Sequence, residues 1–156
     1  MFALVLLTML PFIWFGMVVA ISFIETPLKF RAPGMTHALG VGIGRIVFKV
    51  LNSVEAVVAA VILLTWILQP ALVSPPAGLL LGLAMAALAL QVLVLRPSMA
   101  KRTKALSETA LKHDGGTAVR AKVGTNTHIA YITSEALKVL ALPVTGILVV
   151  LAVAAR

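Results

Sequence analysis

The chain has 156 residues, of which 61% are hydrophobic and only 12% charged, with a net charge of +8. A water-soluble domain carries about 25% charged residues, so this composition excludes one and marks an integral membrane protein. Cysteine is absent, which excludes disulfides, thiolate metal sites and thiol nucleophiles.

Four stretches are apolar over the roughly 20 residues that a bilayer crossing requires. They run approximately over Phe2–Ile24, Ile46–Leu68, Ala77–Leu95 and Ile129–Ala155. The expected fold is all-α: a single transmembrane domain built as a four-helix bundle, with helical extensions on the cytoplasmic side. The first stretch has no basic leader, exceeds the apolar core of a signal peptide and is followed by no small-x-small cleavage site, so it reads as a retained span. Glu25-Thr26-Pro27 should close it, because a residue before proline is pushed out of the α region.

The segment MTHALGVGIGRIVFKVLNSVE has helical spacing well before the bilayer should begin, so the second helix is expected to start near Thr36 or His37. Pro75-Pro76 opens the third span, and Arg96-Pro97 marks its exit. SMAKRTKALSETALKHD then reads as a surface helix ended by Gly115-Gly116. Thr125, Asn126 and Thr127 offer N-caps for the fourth span, and Pro143 should kink it.

Basic residues set the orientation. The first connection carries Lys29, Arg31, Arg45 and Lys49, and the third carries Arg96, Lys101, Arg102, Lys104, Lys112, Arg120 and Lys122. The second carries none. Connections one and three therefore belong in the cytoplasm of a bacterial cell, with both termini outside its cytoplasmic membrane. Hardly any aromatic residue is interleaved with these charges, so they suit anionic lipid headgroups rather than nucleic acid.

Ionisable groups gather near the cytoplasmic ends of the spans. On the fourth, at about 100° per residue, His128, Tyr131, Glu135 and Lys138 share an arc of roughly 80°. On the second, Arg45, Lys49, Asn52 and Glu55 share about 120°. The first adds Glu25 beside Lys29, and the third adds Gln91 and Arg96. A charge near the centre of a membrane helix costs about 2.5–3.5 kcal/mol, so these groups should turn inward and form a pocket of mixed charge, with Glu55 deepest. One reading of such a pocket is a structural ion-pair network with Lys138 and Arg96 snorkelling to headgroups. The other is a site that binds or conducts a small ion, metal or solute. Packing against a larger membrane complex as an accessory subunit, and use of the carboxylates by a membrane enzyme or redox protein, are the alternatives.

Other motifs carry less. GVGIGR at 40–45 lacks the strand and βαβ context of a dinucleotide loop; Gly40 and Gly44 are instead a small-xxx-small step. Gly78, Gly82 and Ala86 repeat that spacing, as do Gly16 and Ala20, and suit internal packing, a homo-oligomer or a larger membrane complex. No Glu-x-x-His pair of the di-iron type occurs, and His37 and His113 fall outside the spans, so no metal or haem cofactor is expected. Ser134 points about 120° away from His128, so no nucleophile–base set emerges.

PLKFRAPG after the first span, GVGIGRIVFKVL beyond it, Arg96-Pro97 at the exit of the third and His128 at the head of the fourth together form a recognisable layout. It resembles a family of small four-helix membrane proteins without an assigned biochemical function, one animal member of which is associated with tolerance to platinum drugs. The resemblance implies the four-span bundle, gives weight to Pro27, Arg96 and His128, and tilts the reading toward traffic of metals or small solutes.

Overall fold

The computed structural model describes residues 1–97 and 125–155, and the side chains of all of these except 37, 38 and 125–128. The surface helix expected over 98–114 and the side chain of His128 lie outside the described residues. Four long helices account for nearly all of the rest: α1 Phe2–Lys29, α2 His37–Leu68, α3 Pro75–Leu95 and α4 Thr125–Ala154. All four are long and apolar enough to cross a membrane, and the protein is an all-α membrane bundle.

Local chemistry sets the helix starts. α2 begins at His37, where the spacing of its sequence put it, because the Thr36 side chain accepts from the Leu39 backbone N–H at 3.2 Å and satisfies one of the free donors of the first turn. α3 begins with Pro75 in its first turn, a position that needs no backbone N–H. Gly34, at φ +76°, supplies the left-handed turn between α1 and α2.

Pro27 does not close α1. Helical winding continues through Thr26–Lys29, with Thr26 itself at φ −58° and ψ −50°. The reason lies one turn earlier, where α1 widens into π geometry over Val19–Glu25 and the Thr26 backbone N–H bonds to Ile21 O five residues back. A proline inside an α-helix clashes with the carbonyl four residues before it and leaves that carbonyl without a donor. The wider turn moves that carbonyl aside. α3 repeats the device: π geometry over Gln91–Leu95 directly precedes helical Arg96-Pro97. α4 runs unbroken through Pro143.

In each helix the buried positions recur at steps of four and three. They include Leu7, Pro11, Trp14 and Val18 on α1, and Leu51, Glu55, Ile62 and Thr65 on α2, where Glu55 and Ile62 are two such steps apart. On α3 they are Ala77, Leu81, Ala84, Leu88, Gln91 and Leu95, and on α4 Tyr131, Glu135, Lys138, Leu142, Thr145 and Val149. A seam of this period packs helices at shallow crossing angles. α4 lies most closely against α1 and α3, whereas α2 approaches α1 more closely than it approaches α3.

Small residues permit the closest approaches. A Cβ at Gly146 of α4 would sit 2.5 Å from the Phe12 ring of α1, and one at Gly78 of α3 would sit 2.7 Å from the Trp66 ring of α2. Large apolar side chains such as Leu93, Leu140 and Ile46 point outward, as a surface solvated by lipid requires. Toward the Leu68 end of α2 the core is apolar, formed by Leu7, Ile62, Ala77, Leu81, Leu142 and Val149. Toward the opposite end the same seams turn polar.

Candidate functional site

The polar part of the core draws on all four helices. Glu55 of α2 lies about 20 Å in from the Leu68 end, and Gln91 of α3 and Lys138 of α4 about 24 Å in from the Pro75 and Ala154 ends, at 1.5 Å per residue. Within an apolar layer of about 30 Å, that is roughly two thirds of the way across for Glu55 and about four fifths for Gln91 and Lys138. The Glu55 and Lys138 side chains are 0% exposed and that of Glu135 is 2% exposed.

Lys138 is the hub. Its Nζ donates to Glu55 Oε1 at 2.6 Å, to Gln91 Oε1 at 2.8 Å and to Glu135 Oε1 at 3.3 Å. Those three bonds use every donor of an ammonium group. Glu55 Oε1 also accepts from the Trp14 indole N–H at 2.7 Å. The Asn52 amide faces the Tyr131 hydroxyl, the Phe48 carbonyl and Glu55 Oε2, each at 3.2 Å. The satisfied orientation turns its nitrogen toward them, where its two N–H groups can serve two of the three, with Glu55 Oε2 among the acceptors within reach. Gln91 Nε2 donates to Ser134 Oγ at 2.7 Å and to Glu135 Oε1 at 2.8 Å, while Ser134 Oγ donates to Tyr131 O at 2.7 Å. The Tyr131 ring meets that of Phe48 edge-on, with centroids 5.4 Å apart.

One atom of the cluster stands apart. Glu135 Oε2 is buried and has no hydrogen-bond partner among the described residues. With two carboxylates against one ammonium, the fully ionised cluster also carries one excess negative charge. No group of three or more His, Cys, Asp or Glu side chains suited to a metal ion occurs among the described residues.

Of the residues expected in a pocket, Asn52, Glu55, Tyr131, Glu135 and Lys138 come together. Glu25 does not join them. Its carboxylate pairs with Lys29 on the next turn of α1, at 3.3 Å, and Lys29 lies between α1 and α2 with Nζ 5.8 Å from the Phe48 ring. Arg45 and Lys49 are exposed, because the buried seam of α2 runs through Gly44, Phe48 and Leu51, and each basic residue stands one position, about 100°, off it. Arg96 is half-buried beside Leu95. The expected pocket is instead a filled polar core, since Lys138, Gln91 and Trp14 span the gap between helix backbones. A shallow groove of about 380 Å³ lies elsewhere, on the surface of α1, lined by Ala20, Ile24, Glu25, Leu28 and Lys29.

Sequence reasoning missed Trp14 and set Ser134 aside. An aromatic residue in an apolar run reads the same whether it faces lipid or core. The usable signal was register, because Trp14 lies seven residues from Leu7 on one α1 seam. Ser134 was judged only against His128, whereas its partner is Gln91 on another helix. Of the small-residue stripe, Gly78 packs inside against Trp66, while Gly82 and Ala86 face outward.

A family model described as a domain of unknown function, DUF4149, matches residues 9–108, most of the chain. The chain belongs to the DUF4149 family. The matched stretch contains the Trp14, Asn52, Glu55 and Gln91 contributions to the DUF4149 cluster, and Tyr131, Ser134, Glu135 and Lys138 lie beyond it. No curated protein and no solved structure matches. The family fits the uncharacterised four-helix membrane class that the layout implied, and a link to platinum-drug tolerance has no support among these matches.

Proposed function

We propose that this protein moves a small cation, the proton foremost, through the cytoplasmic membrane of a bacterial cell, using the Glu55–Lys138–Glu135 cluster as its intramembrane relay. One observation carries the reading: two carboxylates share a single ammonium at hydrocarbon depth, with one carboxylate oxygen unpartnered among the described residues. Buried ionisable groups within a membrane are expensive and mark ion or proton pathways by default. A network that served only to pin the helices would be cheapest as a balanced pair, and this one is unbalanced. The proton is favoured over a metal ion because Lys138 already occupies the space between the carboxylates and would repel a second cation. The basic residues of the first and third connections support a position for the cluster nearer the cytoplasmic face.

The test is a proteoliposome assay with an entrapped pH dye. After an acid pulse, vesicles with the wild-type protein should relax faster than empty vesicles, and Glu135→Gln should return them to the empty-vesicle rate. Wild-type vesicles indistinguishable from empty ones would overturn the reading. A second reading, an accessory subunit in a larger membrane complex, is favoured by Gly82 and Ala86, which are exposed on α3, with nothing within 4 Å of a Cβ added at Gly82.

A further inference from the structure

We propose that the groove on α1 beside Glu25 binds a phospholipid whose headgroup carries a primary ammonium, with an acyl chain lying along Ala20, Ile24 and Leu28. The site is separate from the interior cluster, and it serves the leaflet at the polar end of the bundle whichever way the bundle faces.

Two rows of side chains line the groove, each at steps of four: apolar Ala20, Ile24 and Leu28, and charged Glu25 and Lys29. Residues four apart lie one above the other on a helix, so the apolar row runs along α1 and the charged row flanks its end. Counted from Phe2 at 1.5 Å per residue, Ala20 lies about 27 Å in and Glu25 about 35 Å in. The hydrocarbon layer is about 30 Å deep, with several more ångströms of headgroup on each side. Ala20 is therefore at the level of lipid tails and the carboxylate at the level of headgroups. Ala20, Ile24 and Glu25 all belong to the π segment Val19–Glu25, and such segments recur at functional sites. The groove is shallow, which suits a molecule that is itself part of the bilayer; a soluble ligand is held by enclosure.

Charge selects the headgroup. The Glu25 side chain is 31% exposed and that of Lys29 only 8%. Lys29 is held from several sides. Its Nζ donates to Glu25 Oε2 at 3.3 Å, stands 5.8 Å from both the Phe30 and Phe48 rings, and would meet a Cβ at Gly44 at 3.0 Å. The Thr26 hydroxyl also donates to Oε2, at 3.5 Å. Among the described residues both bonds to this carboxylate fall on Oε2, so Oε1 can take a donor from outside. A headgroup that is only anionic meets Glu25 as a like charge. One that joins a phosphate to an ammonium is complementary, with the ammonium on Glu25 Oε1 and the phosphate beside exposed Arg31, two residues past Lys29. A primary ammonium has three N–H donors, whereas a quaternary one has none and is recognised by aromatic cages. The C-terminal end of α1, where cations are favoured, adds to the preference.

Native mass spectrometry of the full-length protein tests this, in micelles doped with equal amounts of phosphatidylethanolamine, phosphatidylcholine and phosphatidylglycerol of identical chains. Wild type should retain phosphatidylethanolamine over phosphatidylcholine by about two- to fivefold, the size of one exposed ion pair. Glu25→Gln should abolish that preference and leave phosphatidylglycerol retention undiminished, since the basic connections draw anionic lipid without help from Glu25. Ala20→Trp keeps both charges but fills the apolar row, and should also abolish the preference. Equal retention of the ethanolamine and choline lipids by wild type overturns the proposal, as does a preference that survives either variant. A dimer that forms in place of lipid adducts, and that Ala20→Trp breaks, assigns the groove to a second copy of the chain and overturns it too. Proton flux plays no part in these spectra, so the result is independent of the vesicle assay.

Discussion

Lys138 illustrates what a single buried charge does in this protein. Its ammonium is 0% exposed and bonds to Glu55, Gln91 and Glu135 at once. Removing one partner of a buried ion pair leaves an uncompensated charge, which typically costs about 3–5 kcal/mol. Lys138→Met should therefore lower stability by about that amount, read as a shift in the unfolding midpoint in detergent. Adding Glu55→Gln should recover part of the loss, because the two changes act within one network. If the double variant loses the sum of what Lys138→Met and Glu55→Gln lose singly, Glu55 and Lys138 are not energetically coupled. Glu25 gives the contrast. Its partner Lys29 is one turn away on the same helix, so α1 alone provides for that charge near its end, and the interior cluster has no need of it.

At the scale of the helix, two devices determine what reaches the interior. The first is the four–three spacing of the buried seams, which carries Glu55, Gln91, Glu135 and Lys138 on the same faces as Ile62, Leu81 and Leu142. The cluster is thus a continuation of the core in polar residues and needs no separate domain or loop. The second is the π turn set before Thr26-Pro27 and before Arg96-Pro97, at Val19–Glu25 and Gln91–Leu95. π segments inside helices recur at functional sites, and Gln91, which bonds both Lys138 and Glu135, opens the second one. Glycine use on α3 makes a paired prediction. Gly78→Ala places a Cβ 2.7 Å from the Trp66 ring and should cost about 1–3 kcal/mol through overpacking. Gly82→Ala meets nothing within 4 Å and should change stability by no more than about 0.5 kcal/mol. Thermal unfolding of the two proteins in the same detergent gives the comparison, and equal losses would mean that Gly78 does not pack against Trp66.

At the scale of the whole molecule, the bundle is apolar toward one end and polar toward the other, and the proposed orientation, with the polar end at the cytoplasmic side, follows the charge of the connections. Because cysteine is absent, single introduced cysteines report sidedness cleanly. A cysteine at Ala32, between α1 and α2, should be labelled by an impermeant maleimide only after the membrane is opened. One at Ser74, between α2 and α3, should be labelled in intact cells. Labelling of both in intact cells would remove the orientation on which the cytoplasmic placement of the cluster rests.

Composition and hydropathy by themselves determined that this is a membrane protein of four helices, because a chain with so few charges has no way to cover a soluble surface and every span must satisfy its own backbone. Helical periodicity also brought Glu135, Lys138 and Tyr131 to one face of α4, and Asn52 and Glu55 to one face of α2. Only the packed bundle decided which partners those faces meet. Trp14 and Ser134 entered the cluster, and Arg45 and Lys49 stayed outside it, because a shift of one residue in register, about 100° around a helix, separates the core from the lipid. Depth along the bilayer is written in one dimension of the sequence. Rotation about each helix axis is fixed by the neighbouring helices, and so is the unequal bonding that distinguishes Glu55 from Glu135.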